Sequence, residues 1–277
     1  MLNVYAIGAS RNIGYFCSLR LLAKGATITF LLRNTSILES DEAIRPYITS
    51  GHARLVKGDA MNASDVANGW RHAQFDGARP VDVLLSTVGG LPHFSLSKGV
   101  YMDPPNLVTT SVLNILSTFP ADSQPTPPKI ITVSSIGLTP AEHKKLPLLL
   151  KPLYGSLLAA PHEDKLGSER VALEAAGMQW PRSNPEPREG IMPAGWKNTL
   201  QKSGVVFPEL TIIKPALLTD GACKGDKPKA GKAAYQVSEQ VIGNGYTISR
   251  KDIAHFIAEV LLEDWAKYGG KTLNVAY

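Results

Sequence analysis

The hydrophobic positions of the chain fall into short apolar runs that alternate with longer amphipathic segments. Seven runs have the length and the apolar or β-branched character of strands, at residues 3–7, 26–32, 53–57, 81–87, 129–134, 210–214 and 271–276. Most of them have apolar or β-branched residues at consecutive positions instead of at every second one. This pattern indicates parallel strands that are covered by helices on both faces.

Helical patterns fill the intervals, at residues 12–24, 62–73, 105–119, 162–176 and 250–264. With right-handed crossovers, the alternation predicts an α/β fold with a Rossmann-type, doubly wound parallel sheet. The helix at 162–176 follows Pro161, so we expect His162, Glu163 and Asp164 in its first turn, where negative charge suits the helix dipole. The pairs Asp164/Lys165 and Glu169/Arg170 are expected to be exposed ion pairs on this helix.

The alternation stops near residue 177. Residues 179–208 are rich in proline and glycine, and residues 219–233 form a second irregular stretch. Long irregular segments in compact domains are often functional. We therefore expect a single domain over residues 1–277, with a small C-terminal substrate lobe contributed mainly by 179–208 and 216–250.

The composition of the chain limits the classes of binding partner that we expect. Of the 277 residues, 44% are hydrophobic and 19% charged, and the net charge of +5 is scattered, without the basic, aromatic-bearing face that nucleic-acid binding needs. No apolar run approaches the ~20 residues of a membrane helix, and the N-terminus lacks a signal-peptide pattern. Two distant cysteines give neither a disulfide framework nor a metal spacing. We expect a cytoplasmic monomer or homodimer that binds a small-molecule substrate, without nucleic acid, membrane or metal.

A glycine-containing turn, GASRNIG at residues 8–14, joins the first strand to the first helix. Gly8 can adopt the angles of a tight turn, and Gly14 lets the helix approach the strand closely. The amides from Ser10 to Ile13 would then face a pyrophosphate at the helix N-terminus. Asn12 stands where a further glycine is usual, and asparagine tolerates left-handed angles. The turn therefore predicts a dinucleotide site.

The end of the second strand indicates which dinucleotide binds. An acidic residue there would bind the ribose hydroxyls of NAD, but the strand ends in LLRNTS, with Arg33 and no acid. Arg33 can pair with a 2'-phosphate, and Arg11 in the glycine turn is a second candidate. The sequence therefore favours NADPH (NADP+) over NADH.

These motifs resemble those of the short-chain dehydrogenase/reductase superfamily. IGASRNIG (7–14) is similar to its TGxxxGxG motif, KGDAMN (57–62) to its adenine-contacting aspartate motif, STVGG (86–90) takes the place of NNAG, and ITVSS (131–135) resembles the strand that ends in the catalytic serine. The resemblance implies cofactor contacts by further residues, namely Asp59, Ala60, Thr87, Val88, Gly89, Lys165, Pro215 and Leu217.

The closer resemblance is to the atypical, NmrA-like NAD(P)H-binding branch, in fungal-type members of unassigned function. It is carried by TIIKPALLTDG (211–221) and YTISRKDIAHFIAEVLLE (246–263), and it covers nearly the whole chain apart from 179–208. This resemblance implies an NADPH-dependent reductase of a small apolar carbonyl, quinone or conjugated compound. The alternatives are a non-catalytic NADP(H)-sensing regulator of NmrA type and a non-redox isomerase or cyclase on the same scaffold.

The chain departs from the family at its proton donor. Typical members use Tyr-x-x-x-Lys, but Leu158 lies four residues after Tyr154, and the nearest lysine is Lys165. Ser134 would orient the substrate oxygen and Lys165 would hold the ribose, while Tyr154 or His162 supplies the proton. A substrate that needs only hydride could instead take its proton from water.

Three further residues are expected to line the substrate pocket. His93 follows the fourth strand in VGGLPHF, and Ser135 and His162 lie beside the predicted catalytic serine and lysine. Ligands bind at the carboxyl edge of such sheets, which is where this arrangement places all three residues.

Overall fold

The computed structural model describes residues 1–75, 77–90, 92–95, 99–145, 158–228, 231–243 and 245–277. Its strands in these ranges are β1 (Asn3–Ile7), β2 (Thr27–Leu32), β3 (Ala53–Lys57), β4 (Val83–Ser86), β5 (His93–Ser95), β6 (Gly99–Tyr101), β7 (Lys129–Val133), β8 (Leu210–Pro215), β9 (Leu217–Thr219), β10 (Gln236–Ser238), β11 (Thr247–Ser249) and β12 (Thr272–Ala276). All seven strands predicted from the sequence are present, within two residues at most ends.

Helices connect these strands. They are α1 (Asn12–Ala23), α2 (Ser36–Glu39), α3 (Arg45–Thr49), α4 (Ala63–Ala73), α5 (Leu107–Ser117), α6 (Pro140–Lys145), α7 (Ala159–Ala175), α8 (Trp196–Leu200), α9 (Arg250–His255) and α10 (Trp265–Tyr268). A short 3-10 turn (Gln201–Ser203) follows α8, and a π-helical turn (Phe256–Leu261) continues α9.

Eight strands form one sheet in the order β10-β12-β8-β7-β4-β1-β2-β3. Every neighbouring pair is parallel except β10 and β12, which are antiparallel. The strand order reverses between β1 and β4, as in a doubly wound sheet. The chain has a Rossmann-type α/β fold, as the sequence predicts.

The core lies in two layers, one on each face of this sheet. One layer packs α1, α9 and the π-helical turn against the sheet, and the other packs α4, α5 and α7. The strands β1, β2, β4 and β8 are buried at every position, and β7 and β12 at every position except the first. The continuous apolar runs in the sequence have this physical origin, because both strand faces are covered.

Helix α7 begins earlier than the sequence pattern indicates. It starts at Ala159, so Pro161 lies inside its first turn, where proline is tolerated because the first amides of a helix have no intrahelical partner. His162 therefore completes the first turn, and the expectation that Glu163 and Asp164 also lie in it is wrong, because both follow it.

The irregular segment 179–208 packs on the sheet layer that contains α5 and α7. Its apolar residues Trp196, Leu200 and Phe207 join that layer of the core, and the buried Ile191 lies against Gly167 of α7. None of its residues lines the main cavity, whereas Ala216, Leu217, Leu218 and Arg250 of the segment 216–250 do. The division of the substrate lobe between these two segments stays a prediction.

Within the described part of the chain, no helix combines the length and the apolar character that crossing a membrane requires.

Candidate active site

A cavity of about 810 Å³ opens along the carboxyl edge of the parallel sheet. Its wall is built from residues at the ends of β1, β2, β3, β4, β7 and β8 and from the first two turns of α7. Doubly wound sheets bind their ligands at this edge, and the volume suits a ligand of a few hundred daltons or more.

Most residues assigned from the sequence meet in this cavity. Those among its lining are Gly8, Ser10, Arg11, Asn12, Ile13, Arg33, Asp59, Ala60, Thr87, Val88, Gly89, Ser134, Ser135, His162, Lys165, Pro215 and Leu217. Gly14 lies behind the turn, inside α1. His93 lies on the β5–β6 hairpin, is exposed and packs against Tyr101, so it is not part of the lining. Tyr154 lies outside the described residues.

The glycine turn has the geometry that phosphate binding requires. Gly8 has φ +78°, and a Cβ atom there would lie 2.5 Å from the backbone nitrogen of Val88. Asn12 also has a positive φ, +57°, which confirms that asparagine takes the left-handed conformation at this point. Gly14 lies so close to Thr87 Oγ1 that a side chain would collide, and its added Cβ would also lie 2.7 Å from the Cα of Ala9. The backbone of the turn therefore packs directly against the residues that follow β4, with no room for a side chain at Gly8 or Gly14.

The far end of the cavity has no acidic residue at the end of β2. Arg33 is exposed there, and the Asn34 side chain accepts hydrogen bonds from the backbone and hydroxyl of Ser36. Asp59 follows β3, where its carboxylate accepts a hydrogen bond from the amide of Met61 at 2.9 Å. Arg33, Asp59 and the glycine turn together fit a dinucleotide that carries an additional negatively charged group on its ribose.

Ser134 ends β7 and lies against a buried group of charges that the sequence did not indicate. Its hydroxyl donates to Glu169 Oε1 at 2.5 Å. Lys214 is 2% exposed and bridges Glu169, at 3.0 Å, and Glu142, at 2.7 Å. Glu142 also accepts a hydrogen bond from the amide of Leu138. We call Ser134, Glu142, Glu169 and Lys214 the serine cluster.

The charged groups of the serine cluster shift each other's pKa values. Burial raises the pKa of Glu169 above its usual value, although the ammonium of Lys214 opposes this shift. Burial alone would lower the pKa of Lys214, but the two carboxylates outweigh it and raise that pKa. The cluster is thus a tightly coupled buried group in which Lys214 stays charged.

The expected surface ion pairs of α7 are wrong. Asp164 is fully buried and accepts hydrogen bonds from the amides of Val108 and Thr109 at the start of α5. Glu169 belongs to the serine cluster. Arg170 is 9% exposed and lies between the rings of Trp180 and Trp196. The helix is covered on this side by the segment 179–208, which sequence periodicity alone did not place there.

Lys165 reaches from α7 to the end of β7. Its ammonium donates to the backbone carbonyls of Val133 and Ser134, at 3.0 and 3.1 Å. Burial lowers the pKa of Lys165 to about 8, although Asp164 and Glu169 oppose this. The ammonium is thus fixed at the cavity wall directly beside Ser134.

His162 is poorly suited to give a proton. Burial, together with the positive charges of Lys165 and Lys214, lowers the pKa of His162 to about 3, so its ring is neutral near pH 7. Its Nε2 lies 3.5 Å from Ser135 Oγ at the cavity wall. A neutral ring can accept or donate a hydrogen bond to a ligand, and the lowered pKa disfavours the imidazolium that acid catalysis needs.

Sequence reasoning missed Glu142, Glu169 and Lys214. One signal was available, because Lys214 is the single charged residue of the apolar run LTIIKP, and a lysine in a buried strand requires a partner. Nothing in the sequence near Glu142 distinguished it from a surface glutamate. Its role depends on α6 folding back over the end of β8.

Comparison with known proteins agrees with this fold. No protein-family model matches the chain. A protein of Aspergillus terreus named reductase pytE is 29% identical over 203 residues, which are 71% of this chain and 67% of that protein.

Solved structures resemble nearly the whole chain. A short-chain dehydrogenase from Bacillus anthracis matches with a TM-score of 0.61 and 17% identity, over 98% of this chain and 94% of that one. YwfH, described as an NADPH-dependent reductase involved in bacilysin biosynthesis, matches with a TM-score of 0.56 and 13% identity, over 99% and 98%. At such identities the structural matches establish the Rossmann-type fold and nothing finer.

Proposed function

We propose that the protein is an NADPH-dependent reductase of a small apolar carbonyl, quinone or conjugated compound. The observation that carries this proposal is the cavity, where the left-handed glycine turn, Arg33 and Ser134 lie along one sheet edge. The reductase name of the Aspergillus terreus relative supports the same reaction class. The NmrA-like assignment and the cytoplasmic location remain parts of the proposal.

In this proposal, different parts of the cavity bind the cofactor and the substrate. The glycine turn holds the pyrophosphate, Arg33 pairs with the 2'-phosphate and Lys165 holds the ribose of the nicotinamide. NADPH supplies the hydride when it is bound. Ser134 orients the substrate oxygen, and the apolar residues Leu107, Leu158 and Leu217 exclude water around it. Tyr154 as the acid stays a prediction.

A turnover assay tests the reaction class directly. We expect the purified protein to consume NADPH when 9,10-phenanthrenequinone is added, with a fall in NADPH absorbance and one equivalent of hydroquinone formed. A Ser134→Ala variant should lose most of this activity but keep its affinity for NADPH, because the serine contacts substrate and not the phosphates. Tight NADPH binding without consumption would reject the reductase and favour the NADP(H)-sensing regulator.

The assignment of Arg33 to the 2'-phosphate predicts a selective loss. In Arg33→Ala, NADPH binding should weaken by about 1.5–3 kcal/mol, the contribution of a charge-assisted hydrogen bond, whereas NADH binding should stay unchanged. Calorimetric titration of both nucleotides measures this difference.

The matched control for Arg33 is Arg45→Ala. Arg45 lies on α3 and is also exposed, but it does not line the cavity. It should leave both affinities unchanged. Equal losses of NADPH and NADH in Arg33→Ala would remove the arginine from the specificity assignment.

A further inference from the structure

The serine cluster contains more carboxyl groups than ammonium groups. The cluster places two carboxyl groups, those of Glu142 and Glu169, against one ammonium group, that of Lys214, while the neighbouring Lys165 is balanced by Asp164. A buried group with an uncompensated negative charge is strongly disfavoured. Such a cluster lowers its energy by holding one additional proton.

The hydrogen bonds indicate which carboxyl group carries that proton. Glu142 accepts backbone N–H bonds from Leu138 and Thr139 and is 15% exposed, so it is stabilised as an anion. Asp164, outside the cluster, accepts two backbone N–H bonds, although burial raises its pKa. Glu169 accepts no backbone N–H bond among the contacts of the described residues. Its partners are Lys214 and the hydroxyl of Ser134, which can act as donor or acceptor.

We propose that Glu169 is the proton reservoir of the site and passes its proton through Ser134 Oγ to the substrate oxygen. This inference rests on the proposed reductase function. The contact of 2.5 Å between Ser134 Oγ and Glu169 Oε1 is short enough for direct transfer, and Ser134 reaches the cavity. The serine would thus deliver the proton as well as orient the substrate.

The step balances in atoms and charge. The hydride, with its electron pair, forms the new C–H bond as the carbonyl π bond breaks. The proton of Ser134 forms the O–H bond of the product alcohol, and the Glu169 carboxyl proton moves to Ser134 Oγ. Glu169 is left as a carboxylate 3.0 Å from the ammonium of Lys214. Glu142, on the other side of Lys214 and partly exposed, connects the cluster to solvent for reprotonation.

The reservoir is measurable without turnover. In the infrared spectrum of the protein at neutral pH, we expect the carbonyl-stretch band of a buried protonated carboxyl group. The band should disappear in Glu169→Gln and remain in Glu174→Gln, a variant of the same helix whose carboxylate pairs with Arg170 away from the cavity. Ser134→Ala should keep the band, because it removes the relay and not the reservoir.

The same variants are then assayed with NADPH and 9,10-phenanthrenequinone. Glu169→Gln should lower kcat by roughly 10²-fold, the usual range for loss of an acid–base group, with little change in KM. Glu174→Gln should retain the kcat of the wild-type protein. Glutamine mimics the protonated carboxyl, so Glu169→Gln should fold. If Glu169→Gln does not fold, the same infrared band is measured in Glu169→Asp.

The outcomes separate the inference from the proposed function. A band that is absent from the wild-type protein, or that persists in Glu169→Gln, overturns the reservoir. Unchanged kcat in Glu169→Gln overturns the relay and returns the acid role to Tyr154. If the wild-type protein consumes no NADPH, the proposed function fails and the relay has no reaction to serve, but the infrared band still decides whether Glu169 stores a proton.

Discussion

Lys214→Met is expected to lower the free energy of unfolding by about 3–5 kcal/mol, the usual cost of removing one partner from a buried ion pair. The methionine fills the space of the lysine stem but leaves Glu142 and Glu169 facing each other without the cation that lies between them. Urea denaturation at neutral pH measures the loss. The loss should shrink in acid, because the carboxylate left without the cation is then protonated and no unpaired buried charge remains.

Two comparisons isolate the cause of this loss. Lys271→Met removes a surface lysine that pairs with Glu239 at 2.8 Å, and it should cost no more than about 1 kcal/mol. Combining Lys214→Met with Glu142→Gln and Glu169→Gln should recover most of the stability, because no buried charge is then left unpaired. A loss in Lys214→Met as small as that in Lys271→Met would mean that solvent reaches the cluster.

The sheet and the cavity could be predicted from the sequence because their signals are local. An apolar run such as β1 needs only its own five residues to indicate a buried strand, and the turn after it follows from Gly8, Asn12 and Gly14. The carboxyl edges of parallel strands meet at one edge of the sheet. Residues placed at strand ends, such as Asp59 and Ser134, therefore arrive in one cavity even though they are far apart in the sequence.

The serine cluster could not be predicted because it depends on long-range packing. Glu142, Glu169 and Lys214 come from three elements, and the segment 179–208 covers α7 in a way that its proline-rich composition does not indicate. The charged residues of α7 resemble those of an exposed helix until this cover is known. The short elements α2, α3 and α6, and the strands β9 and β11, also lack the length for a periodic signal.

Gly8→Ala is expected to lower the free energy of unfolding by about 2–5 kcal/mol, from two separate causes. The first is the left-handed backbone conformation, φ +78°, which an alanine adopts at a cost of about 1–2 kcal/mol. The second is steric, because the new Cβ would lie 2.5 Å from the nitrogen and 2.7 Å from the Cα of Val88, and backbone atoms cannot move aside as a flexible side chain does. Chemical denaturation of the purified variant measures the sum.

Gly51→Ala separates the two causes. Gly51 has nearly the same backbone angle, φ +79°, but no atom lies within 4 Å of a Cβ built there. It should therefore show the conformational cost alone, and the difference between the two variants gives the cost of the close approach between the turn and β4. Only Gly8→Ala should also weaken NADPH binding, since relief of the clash displaces the turn that we propose holds the pyrophosphate. Equal losses of stability in both variants, with NADPH affinity retained, would show that the close approach does not shape the site.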